Sequence, residues 1–107
     1  MWILTTDEGV VDPPVVIRLT TSAERTLGRA TRSDFILDAP LVSRVHCRLL
    51  ADARGDLTVE DLDSTNGTFV NDQRVSRSEL DNRMEFEIGT TTLMLIRSYA
   101  RESPSAG

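Results

Sequence analysis

The chain has 107 residues, 39% hydrophobic and 27% charged, a composition that fits one globular domain with a real core and excludes a disordered chain. Twelve basic against 17 acidic residues give a net charge of −5, so the surface as a whole is no platform for nucleic acid or an anionic membrane. Every basic residue is arginine, and any anion site must therefore be built from guanidinium groups.

Met1–Asp12 lacks the basic and apolar regions of a signal peptide. Its Thr5-Thr6-Asp7-Glu8 run is an acidic-flanked threonine pair of the kind a kinase modifies, or, more plainly, a strand end and an acidic turn. Val15, Ile17 and Leu19 then alternate with polar or outward positions, the period of a strand with one buried face. A short strand is expected over Arg25–Leu27, followed by Gly28-Arg29. Val45, Cys47 and Leu49 alternate with Arg44, His46 and Arg48, and Leu57 and Val59 with Thr58 and Glu60. Asn66-Gly67 by itself reads as a hairpin turn. Ser76–Arg83 is expected to hold a turn too short for a packed helix. Phe86 and Ile88 alternate with Glu85 and Glu87, and Thr91–Ile96 reads as a more fully buried strand. Turn residues recur every 8–12 positions, which indicates an all-β sandwich or barrel. The globular unit is expected over residues 1–97, with 98–107 a polar tail or linker.

Cys47 and His46 are the only cysteine and histidine. They exclude an internal disulfide and are too few for a Cys/His zinc site. No metal or other cofactor is expected, and Asp61-Leu62-Asp63 reads as a solvated acidic turn rather than a calcium loop. No apolar run reaches the ~20 residues that span a bilayer, so no membrane partner is expected and the expected setting is cytoplasmic, or nuclear in a eukaryote. Cys47 falls on the Val45/Leu49 face, as a small core residue does.

Three polar clusters interrupt the strands: Gly28-Arg29, Ser43-Arg44-Val45-His46, and Ser64 through Asn71. On a sheet scaffold such loops can meet at one end. Arg29 and Arg44 would bring planar donors, Ser43 a hydroxyl, and no acidic residue lies within the first two clusters. Guanidinium pairs with phosphate in a forked, charge-assisted way. Thr65 and Asn66 offer donors and acceptors together, which suits a peptide backbone. Phosphate beside a backbone-reading ledge is the ligand this chemistry fits.

In order and spacing, Gly28-Arg29, Ser43-Arg44-x-His46 and Asn66-Gly67-Thr68-x-Val70-Asn71 resemble the signature of the forkhead-associated (FHA) family, over roughly residues 2–97. The resemblance implies a sandwich of two twisted, mostly antiparallel sheets with about eleven short strands and binding loops at one end. It implies a non-enzymatic adaptor for threonine-phosphorylated proteins or peptides, the partner being a Ser/Thr kinase or its substrate. Arg29 would contact the phosphate or the peptide near it, Ser43 would donate its hydroxyl, and Arg44 would bind the phosphate. Thr65 would line the phosphothreonine site, and Asn66 would bond the peptide main chain beyond it. Gly28, His46 and Gly67 would hold the loops. Departures fall outside these contacts: Asp72 follows Asn71, Arg83-Met84 replaces a Gly-Asp turn with Asn82 as a candidate left-handed residue, and Leu41 stands where some members have a basic residue.

Two other functions fit the residues. One is phospho-independent scaffolding or self-association through a sheet face or edge, with Trp2 and Tyr99 as surface candidates, although partial core burial is the plainer reading of both. The other is hydrolysis with Ser43 as nucleophile and His46 as base, for which no nucleophile elbow is present. Arg29 and Arg44 could also be surface ion-pair partners of Glu24, Asp34 or Asp38, and Arg32 a solvated loop arginine near the same pocket. A monomer is expected.

Overall fold

Side chains that alternate between core and solvent organise the described residues, 1–6 and 14–98 of this computed structural model, into eleven strands and no helix. They are β1 (Trp2–Thr6), β2 (Val16–Leu19), β3 (Ala23–Gly28), β4 (Phe35–Ile36), β5 (Cys47–Ala51), β6 (Leu57–Asp61), β7 (Thr68–Val70), β8 (Gln73–Val75), β9 (Arg77–Leu80), β10 (Glu85–Ile88) and β11 (Thr91–Arg97). The Asp7–Glu8 turn, Tyr99 and the tail beyond Ser98 lie outside the described residues.

Two sheets form, in the orders β2-β1-β11-β10-β7-β8 and β4-β3-β5-β6-β9. Every pairing is antiparallel except β3 with β4. This is the expected two-sheet sandwich. Trp2, Leu4, Ile17, Leu19, Phe86, Ile88, Leu93 and Leu95 of one sheet and Leu27, Cys47, Leu49, Leu57 and Val59 of the other are all buried in a common core. Each large apolar side chain there contributes about 1.5–3 kcal/mol. Burial also drives the Cys47 thiol far above its ordinary range, leaving it a core residue.

The structure corrects several expectations. β11 is not buried on both faces: Met94 and Ile96 point outward, each 42% exposed, because no layer covers that side of the sheet. Ser76–Arg83 holds an edge strand, β9, paired with β6 from Leu57↔Leu80 to Glu60↔Arg77. Its one buried residue, Leu80, gave too weak a period to read. Of the two readings of Trp2, core burial holds and the surface role does not: it is 2% exposed, its Nε1 donates to Gly55 O at 2.6 Å, and the Arg97 guanidinium lies 5.3 Å from its ring centroid. Thr6 is likewise buried, its Oγ1 accepting the Val15 N–H at 2.8 Å. A kinase would have to open that bond to reach it.

Asn66-Gly67 forms no hairpin, since β6 and β7 lie in different sheets. A two-residue hairpin instead joins β7 to β8 through Asn71 (φ 52°) and Asp72 (φ 63°), both left-handed as a type I′ turn requires. In the turn before β10 the left-handed residue is Arg83 (φ 69°), not Asn82, whose Oδ1 instead accepts the Arg97 N–H at 2.8 Å.

Candidate functional site

Three loops gather at one end of the sandwich: residues 29–34 after β3, 37–46 before β5, and 62–67 between β6 and β7. Gly28 starts the convergence. A Cβ there would overlap the Arg44 carbonyl oxygen and stand 2.8 Å from Ser33 Oγ. Only glycine lets the first two loops touch. They are then stitched by Arg29 N–H to Ser43 O (2.9 Å), Ala30 N–H to Arg44 O (2.9 Å), Ser33 Oγ to Arg44 O (2.8 Å) and Arg29 Nε to Val42 O (3.1 Å).

The third loop joins through two side chains. Thr65 N–H donates to Ser43 Oγ at 3.0 Å, and Asn66 Nδ2 donates to Leu41 O at 3.0 Å. The Ser43 hydroxyl thus accepts one bond and keeps its own proton to donate. Asn66 keeps its Oδ1 acceptor and a second amide proton. Arg29, Ser43, Arg44, Thr65 and Asn66 all line one open hollow of about 920 Å³, with Arg32, Leu41, Asp38 and Asp63. Neither Arg29 nor Arg44 enters an ion pair among the described residues; the paired arginines are Arg48, Arg54, Arg77 and Arg97.

Gly67 and His46 stand behind this lining. Gly67 is left-handed (φ +94°). His46 is fully buried rather than on the wet face of a strand, because β5 begins one residue later and the imidazole is needed inside. Its Nδ1 accepts the Ser43 N–H at 3.0 Å and its Nε2 donates to Gly67 O at 2.9 Å, which fixes the neutral Nε2–H tautomer. Burial pushes its pKa below the usual histidine range, outweighing the Gly67 carbonyl and the Asp61 carboxylate 4.0 Å away. Both ring nitrogens are committed to backbone, and neither reaches the Ser43 hydroxyl, so the nucleophile–base arrangement is not formed.

Asp61 is more than a solvated turn residue. Its carboxylate accepts Ser64 N–H (3.1 Å), Ser64 Oγ (2.5 Å) and Thr68 Oγ1 (2.7 Å). Burial opposes its charge, but these hydrogen bonds outweigh that and hold the pKa below the ordinary aspartate range. Ser64 Oγ in turn accepts the Gly67 N–H at 3.0 Å. Asp61 and Ser64 therefore shape the loop that carries Thr65 and Asn66. The Asp-x-x-Ser spacing before a turn was the available signal.

Gly89 supports the hollow from the β10–β11 turn. It is left-handed (φ +60°), and a Cβ would stand 2.8 Å from Pro40 O and 2.9 Å from the Leu41 carbonyl carbon. The Leu41 carbonyl holds Asn66, and Leu41 is itself at φ 69°. Gly89→Ala is expected to lower the folding midpoint by roughly 5–10 °C in a thermal melt and to shift the Asn66 side-chain amide resonances.

A family model described as FHA domain matches residues 25–89, a span that contains all three loops. The glycogen accumulation regulator GarA of Mycolicibacterium smegmatis is 39% identical over 77 residues, covering 72% of this chain and 46% of that protein. The chain spans less than half the length of the curated relatives it matches. Among solved structures, the FHA domain of the CT664 protein from Chlamydia trachomatis is similar at a TM-score of 0.84 and 21% identity, over 92% of this chain and 98% of that one. Another, from structural and functional work on phosphothreonine-dependent FHA domain interactions, gives 0.80 and 26%, over 92% and 97%.

Proposed function

The chain belongs to the FHA family of phosphothreonine-binding modules, and from that premise we propose that the hollow between its three loops receives the phosphate of a phosphothreonine peptide. The carrying observation is that Arg29, Ser43, Arg44, Thr65 and Asn66, from three separate loops, line one cavity. Arg44 and the Ser43 hydroxyl bind phosphate oxygens, and Arg29 binds the phosphate or the adjoining peptide. Thr65 borders the phosphothreonine, and Asn66 bonds the peptide main chain beyond it. A phosphate carries about −1.5 to −2 charge and three acceptor oxygens, which two guanidinium groups and a hydroxyl match. Gly28, His46 and Gly67 hold the geometry without touching the ligand.

The net charge of −5 does not oppose this. Exposed charges farther than ~8 Å are screened at physiological salt, so the local arrangement decides. The module docks onto a Ser/Thr kinase or one of its substrates and performs no catalysis. Residues 1–97 form the binding unit; the expected tail or linker beyond Ser98 lies outside the described residues. A cytoplasmic setting fits a phosphorylated protein ligand; among the described residues no helix is long and apolar enough to cross a membrane.

Titration against a phosphothreonine peptide library tests the reading. Selected peptides are expected to bind only when phosphorylated and to lose binding after phosphatase treatment. Equal binding of the dephosphorylated peptides would overturn it. That outcome would favour the scaffolding alternative, for which the structure offers an apolar strip on the outer sheet face: Val16, Met94 and Ile96 are exposed, with Thr5 paired to both Val16 and Met94.

A further inference from the structure

The segment Leu41–Arg44 is the spine of the hollow, and its tethers run in order. At one end the Leu41 carbonyl holds the Asn66 side chain at 3.0 Å. In the middle Ser43 holds Thr65 and Arg29. At the other end the Arg44 carbonyl holds Ala30 N–H at 2.9 Å and Ser33 Oγ at 2.8 Å. Three residue steps place these ends as much as ~10 Å apart. Ser33 N–H closes back on Ala30 O at 3.0 Å, a turn that carries Arg32 outward at the end away from Asn66.

Arg32 lines the hollow and makes no hydrogen bond or ion pair among the described residues. Asp34, two residues on, is committed to Thr26 through its N–H (2.8 Å) and hydroxyl (3.1 Å). Asp38 and Asp63 share the lining, yet none of the ion pairs involves them; Asp63 sits on the loop of Thr65 and Asn66, at the other end of the spine. The lining thus presents a third guanidinium, bound to no carboxylate among the described residues, together with the two that match a phosphate dianion.

We infer that Arg32 forms a second anion subsite, which selects peptides carrying an acidic or phosphorylated residue on the side of the phosphothreonine away from the stretch bonded by Asn66. The inference rests on reading the hollow as the phosphothreonine site. Asn66 takes the main chain beyond the phosphoresidue, so the chain that precedes it passes Arg32. A carboxylate or a second phosphate presents the same oxygen acceptors to the guanidinium.

The test uses the full chain and oriented peptide libraries with one fixed phosphothreonine. In separate arms a glutamate or a phosphoserine is scanned through the four positions before it and the four after it. Selection of acid before the phosphothreonine is expected, with affinity raised about 3- to 10-fold over neutral peptides. Glutamate and phosphoserine arms tell the two sources apart. Arg32→Ala is expected to lower binding of the doubly anionic peptides more than that of the singly phosphorylated ones and to erase the preference, whereas Arg44→Ala lowers both. No positional preference, a preference only after the phosphothreonine, or a preference that survives Arg32→Ala overturns the subsite while leaving the phosphothreonine reading in place. Absence of phosphate-dependent binding by the unaltered chain overturns both.

Discussion

Arg44→Ala is expected to lower affinity for a selected phosphothreonine peptide about 10- to 150-fold in a calorimetric titration, and to move the thermal midpoint of the free protein little. The two halves of this result have separate origins. The Arg44 backbone is structural, because its carbonyl accepts both Ala30 N–H and Ser33 Oγ. Its side chain is exposed and takes no part in the ion pairs of the described residues. Truncation therefore leaves the loop stitching intact and removes only the charged fork. A charge-assisted contact to phosphate is worth roughly 1.5–3 kcal/mol, which converts to the stated loss when that one contact is removed. Arg44→Lys retains the charge but cannot span two phosphate oxygens, so it recovers part of the affinity and leaves a steeper dependence on salt. If Arg44→Ala binds as well as the unaltered chain, the phosphate does not lie where the three loops meet.

Alternation made the sandwich legible. Ile17/Leu19, Leu57/Val59 and Phe86/Ile88 were readable because each sits on a strand with one wet face, and each pair is buried. The candidate site was legible for a different reason: Gly28-Arg29, Ser43–His46 and Asn66-Gly67 carry unusual chemistry in a fixed order, and Arg29, Ser43, Arg44 and Asn66 from them line one cavity with Thr65. What escaped the sequence depends on partners distant along the chain. β9 is short, and its identity as a strand comes from the β6 edge that it completes. The apolar run of β11 reads as more buried than it is because hydropathy does not reveal that its outer face has no covering layer. Asp61 looked like a solvated acid, but the Thr68 hydroxyl that completes its environment lies seven residues on. His46 broke the expected alternation because its value is in its two hydrogen bonds, to Ser43 and Gly67, rather than in its polarity.

Those two bonds carry the second large effect. His46→Ala is expected to destabilise the fold by about 2–5 kcal/mol in chemical denaturation, since it leaves Ser43 N–H and Gly67 O without partners and opens a cavity in a buried site. That is a large fraction of the roughly 5–15 kcal/mol typical of a domain. A pH series on the unaltered, peptide-free protein reads the same interaction without any mutation. The folded-state pKa of His46 is lowered, so near and below the unfolded value of about 6.5 the unfolded chain binds more protons than the folded one. Stability then rises with pH through this window, is complete above it, and is lost as the pH falls. Physically, a proton on Nδ1 would turn the acceptor of the Ser43 N–H into a second donor. Asp61, whose pKa is also lowered from an ordinary value of 3.8, loses its contribution only at still lower pH, so the two steps separate. Peptide must be absent, because a phosphate itself titrates near pH 6 and would superimpose its own loss of binding. Denaturation midpoints that stay flat from pH 7.5 to 5, or a slope that persists in His46→Ala, would show that the imidazole is not the neutral clasp between the Ser43 and Gly67 loops.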